Sequence, residues 1–263
     1  MEEVEEQRMS TLMLRTQGGF CNRIRAIVSA VLWAEDTGRK LAIYWPVEVG
    51  HMPCRLDDLL VRSSIPHLCC VHDGYLTKAH AVQTVEEMES VWRLFGGSDE
   101  IRVESYSAFH PECKRERGLA ILRGLRFSAD LEKEAEKRWR DMEGSSAWTA
   151  IHFRGTDHRK CLAASPLSAF FKVLEGEDAE SQKYYLATDE DSVKEAFGQS
   201  QWKERIAWSD LPQGRRTEEQ QKAGVVEWLL LQKCSRIFAS AGSTFSEWAS
   251  LRSGSKLLEI RHV

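Results

Sequence analysis

The sequence lacks any run of about 18 apolar residues, the length that a helix needs to cross a bilayer. Its first residues are too acidic and polar for a secretory signal: Met1-Glu2-Glu3-Val4-Glu5-Glu6. We therefore expect no membrane span, and without an anchor the cytoplasm is the default compartment.

An excess of basic residues is also missing. The net charge is −4 at pH 7, and non-specific binding of nucleic acid needs a basic surface, so we expect no nucleic-acid partner. The seven cysteines are odd in number and show no framework spacing, which favours reduced thiols. The stretch Cys69-Cys70-Val71-His72 lacks a second ligand pair at zinc-site spacing, so we predict no metal site.

What is present is the composition of an ordinary globular protein, with 42% hydrophobic and 29% charged residues. A chain of 263 residues is long enough for one large domain or for two of roughly 130 residues each.

The first half opens with a strand, a loop, a helix and a second strand. Thr11–Thr16 is an apolar strand, and Arg23–Thr37 has the apolar spacing of a helix face with Gly38 placed to end it. Lys40–Trp45 closes the unit, and this βαβ order predicts a parallel sheet. Further along, the pattern predicts a helix over Leu56–Leu60, a strand over Leu68–His72, a helix over Thr84–Phe95 and a strand over Ile101–Phe109.

The charged stretch Pro111–Gly118 has no apolar period and is bounded by Pro and Gly, so we predict a linker there. The predicted domains are therefore residues 11–115 and 145–263.

The second half alternates regularly between strands and helices. The predicted strands are Thr149–Arg154, Tyr184–Thr188, Ile206–Ser209, Arg236–Ala239 and Lys256–Ile260. The predicted helices are Ser128–Met142, Pro166–Leu174, Ser192–Phe197, Thr217–Gln232, which opens on a capping box, and one that starts at Phe245.

Three junctions that follow strands in this half carry phosphate-type chemistry. They are His152-Phe153-Arg154-Gly155-Thr156-Asp157, Leu186-Ala187-Thr188-Asp189 and Ser240-Ala241-Gly242-Ser243-Thr244-Phe245-Ser246-Glu247. In an open parallel sheet such junctions meet beyond the carboxyl ends of the strands. The sequence therefore predicts a site for a nucleotide diphosphate.

Each junction also has a purely structural interpretation. Arg154 can bind a diphosphate through paired hydrogen bonds from its planar guanidinium, or it can form an ion pair with Asp157. His152 is as well explained by packing as by catalysis. Asp189 can accept hydrogen bonds from a base or ribose, or cap the following helix.

The hydroxyl-rich segment that begins at Ser243 opens a helix, and backbone N–H groups at such a start bind anions. The same residues contain Thr244-x-x-Glu247, a capping box that needs no ligand.

A glycine-rich turn follows the first strand: Gly18-Gly19-Phe20-Cys21-Asn22-Arg23. It is not a P-loop, because the GxxxxGK[ST] length and lysine are missing. It lets the backbone approach a ligand closely, and Asn22 or Arg23 either faces that ligand or, in the case of Asn22, caps the helix.

Taken in order, these motifs resemble the fucosyltransferase superfamily, in particular the α-1,6-fucosyltransferases, including the nodulation enzyme, and the protein O-fucosyltransferases. The resemblance covers roughly Leu12 to Ile260.

The resemblance implies a GT-B architecture, an α/β fold in which two Rossmann-like domains with parallel sheets face a cleft. It implies a transfer of fucose from GDP-fucose to a glycan or protein hydroxyl that is inverting and metal-independent, with no cofactor besides the donor.

The first arginine of the superfamily's HxRR motif falls on Arg154 and its loop asparagine falls on Asn22, so these two are the implied catalytic residues. The implied donor-binding residues are Gly18, Gly19, Phe20, Arg23, His152, Thr156, Asp157, Asp189, Ser243, Thr244, Phe245 and Ser246.

Two features depart from the superfamily's pattern. Gly155 stands where many members have a second arginine, for which Arg159, Arg215 or Arg216 would have to compensate. No catalytic base stands out among the carboxylates of the first domain, which include Glu48, Asp57, Asp58, Asp73 and Glu104. Two alternatives therefore stay open: a non-catalytic nucleotide-sugar-binding or interaction protein, and an enzyme of the same fold that uses another nucleotide sugar.

Overall fold

The computed structural model describes residues 10–49, 51–155, 159–177, 181–214 and 216–262. Thr156, Asp157 and Arg215, which the sequence placed at or near the donor, lie outside the described residues. The chain divides into two compact units, and the division falls between Ser128 and Ala129.

The first unit is built on a five-stranded parallel sheet in the order β3-β2-β1-β5-β4. Its strands are β1 Thr11–Thr16, β2 Lys40–Tyr44, β3 Leu68–His72, β4 His80–Ala81 and β5 Glu100–Ser105. Its helices are α1 Phe20–Thr37, α2 Leu56–Leu59, α3 Val85–Phe95 and α4 Arg115–Gly124.

The apolar face predicted for α1 is the one that the structure buries, including Ile24, Ile27 and Val31. The helix ends as predicted at Gly38, whose φ of 64° is left-handed and suits glycine. Its start differs from the prediction: the helix begins at Phe20 with Gly19 as N-cap, so Asn22 is not the cap.

The predicted linker at Pro111–Gly118 is wrong. This stretch forms a short 3-10 turn and the first part of α4. Its charges pair with acidic residues of α1, since Lys114 Nζ lies 2.7 Å from Asp36 Oδ1 and Arg117 pairs with Glu35. The dense charge of this stretch resembles that of a linker, but its charged side chains pair with residues about 80 positions earlier in the chain and the stretch is helical.

The second unit contains another five-stranded parallel sheet, in the order β10-β9-β6-β7-β8. Its strands are β6 Thr149–Phe153, β7 Tyr184–Thr188, β8 Ile206–Ala207, β9 Arg236–Ser240 and β10 Lys256–Ile260. Its helices are α5 Ala129–Asp141, α6 Arg159–Ala164, α7 Leu167–Glu175, α8 Asp191–Gly198, α9 Glu218–Leu231 and α10 Thr244–Ser253.

Every residue of β6 and β7 is buried, as expected for central parallel strands that are covered on both faces. The core of this unit is aromatic and aliphatic, with Phe153 of β6, Phe170 of α7 and Phe197 of α8 among its members. The predicted capping box at the start of α9 is confirmed, because Gln220 N donates to Thr217 Oγ1 and Thr217 N donates to Gln220 Oε1. Both units thus have the predicted α/β architecture with parallel sheets.

Candidate functional site

The three motif-bearing junctions of the second unit follow adjacent strands. β6 lies between β7 and β9 and is parallel to both, so their carboxyl ends share one edge of the sheet. From β6, the chain adds β7 and β8 to one side of the sheet and then returns to add β9 and β10 to the other side. This is the strand order of a Rossmann-type sheet, and the direction of strand addition reverses between β6 and β9. Ligands of such sheets bind at this reversal, and the loops after β6 and β9 both begin there.

Arg154 is the first residue after β6. Its backbone N–H donates to Ser240 Oγ at 3.0 Å, which ties the end of β6 to the end of β9. Its guanidinium Nε lies 3.8 Å from Asp189 Oδ2, and its side chain is 16% exposed. A partly exposed guanidinium held by a carboxylate can still offer N–H groups to a diphosphate.

Asp189 follows β7 and joins two of the three junctions. One oxygen accepts a hydrogen bond from Gly155 N at 2.7 Å, and the other is the ion-pair partner of Arg154. The cap position of α8 belongs to Glu190, so the capping role considered for Asp189 is not the one it has here. Asp189 fixes the backbone and the guanidinium that follow β6.

His152 lies beneath this edge and is buried. Its ring is 5.1 Å from that of Phe245, centroid to centroid, and its Nδ1 has no hydrogen-bond partner among the described residues. Burial, followed by the nearby charge of Arg154, lowers the pKa of His152 to about 3. The imidazole is therefore neutral at working pH and packs under the site, where it adds no charge.

The start of α10 differs from the capping box that the sequence offered. The helix begins at Thr244 with Ser243 as N-cap, and the Ser243 side chain makes no capping hydrogen bond. Ser246 Oγ donates to the Ser243 carbonyl at 3.2 Å, and both serines are buried, whereas Thr244 and Phe245 are partly exposed. A helix start without a side-chain cap is open to an anion.

The loop between β9 and α10 is anchored by residues that the sequence analysis did not single out. Ala241 N donates to Ser165 Oγ at 2.8 Å, and Gly242 N donates to Glu259 Oε1 at 2.9 Å. Ser165 also donates to the Ile260 carbonyl. Ser165 directly follows α6 and Glu259 lies on β10, so only the folded sheet reveals that they support the loop.

Gly155, the predicted departure from the superfamily pattern, lies against Glu190. An added Cβ would clash with Glu190 Oε2 and would lie 2.9 Å from Glu190 Cβ. A larger residue at this position would have to displace the glutamate. The glycine at this position thus leaves room for the Glu190 carboxylate.

A buried carboxyl group lies on α9 behind this edge. Burial raises the pKa of Glu227 to about 8, with the charge of Asp189 as a smaller raising contribution and Lys194 opposing it. At neutral pH, Glu227 is therefore mostly protonated. Its ionisation would add a second negative charge near Asp189.

The glycine-rich turn of the first unit follows β1. Gly18 has a φ of +73°, and an added Cβ would lie 2.8 Å from Asn22 Nδ2. The left-handed φ therefore favours glycine there, and Asn22 folds back over the turn. Phe20, the first residue of α1, is buried and packs at 6.0 Å from the Phe127 ring.

Arg23 is fully buried in the first unit. Its Nε donates to the Gly18 carbonyl at 2.9 Å and its Nη1 to the Pro46 carbonyl at 2.8 Å, while the guanidinium stacks 4.7 Å from the Trp45 ring centre. Burial lowers the pKa of Arg23 to about 10, which leaves it charged. The structure places this arginine where it shapes the glycine-rich turn from inside.

Among the described residues, no three His, Cys, Asp or Glu side chains form a group that could hold a metal ion. All seven cysteines are free thiols. Within the described part of the chain, no helix has both the length and the apolar character needed to cross a membrane.

No family model matches the sequence, and no curated protein matches it. Solved structures do match. The NodZ alpha-1,6-fucosyltransferase soaked with GDP-fucose shares 16% identity at a TM-score of 0.67, over 92% of each chain. POFUT1 in complex with GDP shares 10% identity at a TM-score of 0.62, over 97% of this chain and 99% of that one. A mutant of Arabidopsis thaliana FUT1 in complex with GDP shares 12% identity at a TM-score of 0.65, over 95% of this chain and 69% of that one. The chain therefore has the GT-B-like α/β fold of solved fucosyltransferases, as the order of its motifs predicted.

Proposed function

We propose that the protein is a glycosyltransferase that moves fucose from GDP-fucose to a hydroxyl group of a glycan or protein, with inversion and without a metal ion. The observation that carries the proposal is the arrangement at the carboxyl edge of β6, β7 and β9. There a partly exposed arginine, a carboxylate that orients it and an uncapped helix start share the reversal point of a Rossmann-type sheet. The solved structures with this fold include complexes with GDP and GDP-fucose.

Arg154 would supply the main electrostatic effect. As the bond between fucose C1 and the diphosphate oxygen breaks, negative charge grows on the departing GDP. A guanidinium already held in place stabilises that charge without reorganising. The N–H groups at the start of α10 would bind the same anion from the other side of the β6–β9 reversal, and Thr244 and Phe245, being partly exposed there, are the residues of α10 proposed to contact the donor.

The remaining residues would support this arrangement. Asp189 holds Arg154 and the Gly155 amide, and neutral His152 packs against Phe245 below. In the first unit, Asn22 lies on the glycine-rich turn, and Gly18 and Gly19 would let the backbone approach the substrate. Arg23 holds that turn from the interior, so its proposed contribution to donor binding is indirect.

One observation favours the alternative of binding without catalysis. The carboxylate of Glu190 occupies the space beside Gly155, where a second arginine would otherwise add positive charge. A site with one guanidinium and a nearby glutamate has less capacity to neutralise a leaving diphosphate.

The test is a thermal-shift titration with GDP, GDP-fucose and UDP on the wild type, Arg154→Lys and Arg140→Lys. Arg140 is an exposed residue near the end of α5 and serves as the matched control. A ligand that binds only the native state raises its melting temperature with concentration. We expect guanine nucleotides to stabilise the wild type and Arg140→Lys, and to stabilise Arg154→Lys much less, because lysine lacks the forked contact.

Release of GDP from GDP-fucose in the presence of acceptors then separates the alternatives. Binding with turnover supports the transferase, and binding without turnover supports the nucleotide-sugar-binding protein. Stabilisation by UDP but not by GDP would indicate another donor.

A further inference from the structure

Two adjacent cysteines, Cys69 and Cys70, lie on β3, which is an edge strand of the sheet in the first unit. Cys69 is exposed and Cys70 is partly exposed, whereas four of the other five cysteines are buried. The remaining one, Cys113, is exposed in the short 3-10 turn before α4. The two thiols on β3 are therefore the ones that are both adjacent and accessible to solvent.

An irregularity in the strand pairing brings these two thiols together. Two successive residues of β2 pair with Leu68 and Cys70, so Cys69 is an extra residue in β3. In a regular strand the side chains of adjacent residues point to opposite faces, but an extra residue bends the strand and redirects a side chain. Here Cys69 Sγ lies 3.7 Å from Cys70 Sγ and 3.2 Å from the Leu41 carbonyl oxygen. The pair thus forms a dithiol.

A disulfide is not the chemistry that this spacing favours. The two residues are joined by a trans peptide bond, so their Cα atoms are about 3.8 Å apart, whereas a disulfide usually joins Cα atoms about 4.4–6.8 Å apart. Burial, followed by the neighbouring Cys69 thiol, raises the pKa of Cys70 to about 11. Attack on a disulfide or a peroxide needs a thiolate, so oxidation of this thiol is slow at neutral pH.

The spacing suits two sulfurs that are bound to one third atom. Two thiolate bonds of about 2.3 Å that meet at a tetrahedral angle separate their sulfurs by about 3.8 Å, whereas a linear centre separates them by about 4.6 Å. The observed 3.7 Å matches a bent or pyramidal centre. Thiolates prefer soft centres, so a thiophilic atom is the ligand that this geometry favours.

The number of ligands decides among thiophilic centres. Within the part of the chain that the structure describes, no further His, Cys, Asp or Glu joins the pair to make a group that could hold a metal ion. His72, two residues further along β3, stacks on Tyr44 with 4.5 Å between ring centroids. A structural zinc ion takes four protein ligands, which is twice the number present. A monosubstituted trivalent arsenical carries its own organic group and needs two thiols, which is the number that the pair supplies.

We propose that Cys69 and Cys70 form a dithiol site that binds monosubstituted trivalent arsenicals. In the reaction with an arsine oxide, R–As=O, two As–S bonds form and the bond between arsenic and oxygen breaks. The oxygen leaves as water with the two thiol protons. The arsenic stays trivalent, so the reaction needs no oxidant or reductant. The site is independent of the proposed transferase function, because none of the residues assigned to that function belongs to it.

The test uses the full chain, phenylarsine oxide and an excess of the monothiol β-mercaptoethanol, which competes with any single cysteine for the arsenic. The variants are Cys69→Ser, Cys70→Ser and the matched control Cys113→Ser, which removes an exposed thiol outside the pair. Intact-protein mass spectrometry counts the phenylarsenic groups. We expect one group per chain in the wild type and in Cys113→Ser. Either variant of the pair should bind about 100-fold more weakly or worse, because the second As–S bond forms within the chain.

Alkylation followed by peptide mapping then identifies the cysteines that the arsenical protects. Protection of Cys69 and Cys70 supports the proposal, whereas protection of Cys113 or of a buried cysteine in their place overturns it. A wild type without an adduct overturns it as well, and so does a variant of the pair that binds as tightly as the wild type. Melting temperatures show whether the variants fold. If Cys70→Ser does not fold, Cys69→Ser, at the more exposed position, carries the same comparison.

Discussion

Arg154 and Arg23 occupy similar places in the two units but have different environments. Each lies just beyond the carboxyl edge of a parallel sheet and close to a carboxylate. Arg154 precedes Gly155 in the chain, and Arg23 donates to the Gly18 carbonyl. Arg154 is partly exposed and 3.8 Å from Asp189. Arg23 is fully buried, with two backbone carbonyls, a tryptophan ring and Glu48 around it.

The difference shows how one residue type serves two purposes. Burial removes water from a guanidinium and must be offset by hydrogen bonds from the protein. Arg23 therefore belongs to the framework of its unit, whereas the partly exposed Arg154 is the one that we propose binds an anionic ligand. From this contrast we expect Arg23 variants to lose stability and Arg154 variants to lose ligand binding.

The largest expected effect is on stability. Arg23→Lys should lower the free energy of unfolding by about 3–5 kcal/mol, because a lysine leaves the Gly18 and Pro46 carbonyls and Glu48 short of partners in a buried site. Calorimetric melting would measure the loss. Arg154→Lys is the matched control and should melt close to wild type. Equal destabilisation by the two variants would remove the distinction between them.

The next effect concerns the carboxylate that orients Arg154. Asp189→Asn should weaken GDP binding by about tenfold to a hundredfold. The amide keeps the shape of the side chain, but it loses the negative charge that holds the Arg154 guanidinium, and it is a weaker hydrogen-bond acceptor for Gly155 N. Isothermal titration calorimetry measures the change. Asp191→Asn, at an exposed carboxylate of α8, should bind as wild type. Unchanged binding by Asp189→Asn would show that Arg154 needs no orienting partner.

A third expected effect is a dependence of stability on pH. The pKa of Glu227 is about 8 in the folded protein and near 4.5 when unfolded, so between these values the native state holds a proton that the unfolded state lacks. Stability from this group is complete below pH 4.5 and falls as the pH rises towards 8.

Glu227→Gln should therefore melt at a temperature similar to wild type at pH 5 and at a higher one at pH 8.5. The measurement is melting temperature against pH for both proteins. Parallel curves would show that the Glu227 carboxyl titrates as an exposed group does.

Much of the fold could be predicted because short runs of apolar and β-branched residues bounded by turn residues are typical of strands. Thr11–Thr16, Leu68–His72, Tyr184–Thr188 and Lys256–Ile260 are strands with the predicted bounds. The two-residue strand His80–Ala81 was missed, because so short an exposed segment has no apolar period. The helix at Arg115–Gly124 was missed because the charges that pair with α1 made it resemble a linker.

The site was predictable only in part, for a related reason. Sequence order placed Arg154, Asp189 and Ser243 at the ends of neighbouring strands, and the sheet brings these ends to one edge. Sequence could not show that Arg154 pairs with Asp189, that Ser243 leaves α10 uncapped or that Arg23 points inward. Those outcomes depend on contacts between residues far apart in the chain.

The most direct test of the account is a crystal structure of the wild type with GDP. The account predicts the diphosphate at the carboxyl edge of β6 and β9, within hydrogen-bond distance of the Arg154 guanidinium and of backbone N–H groups at the start of α10. A GDP molecule bound elsewhere, or a diphosphate that contacts neither Arg154 nor α10, would contradict it.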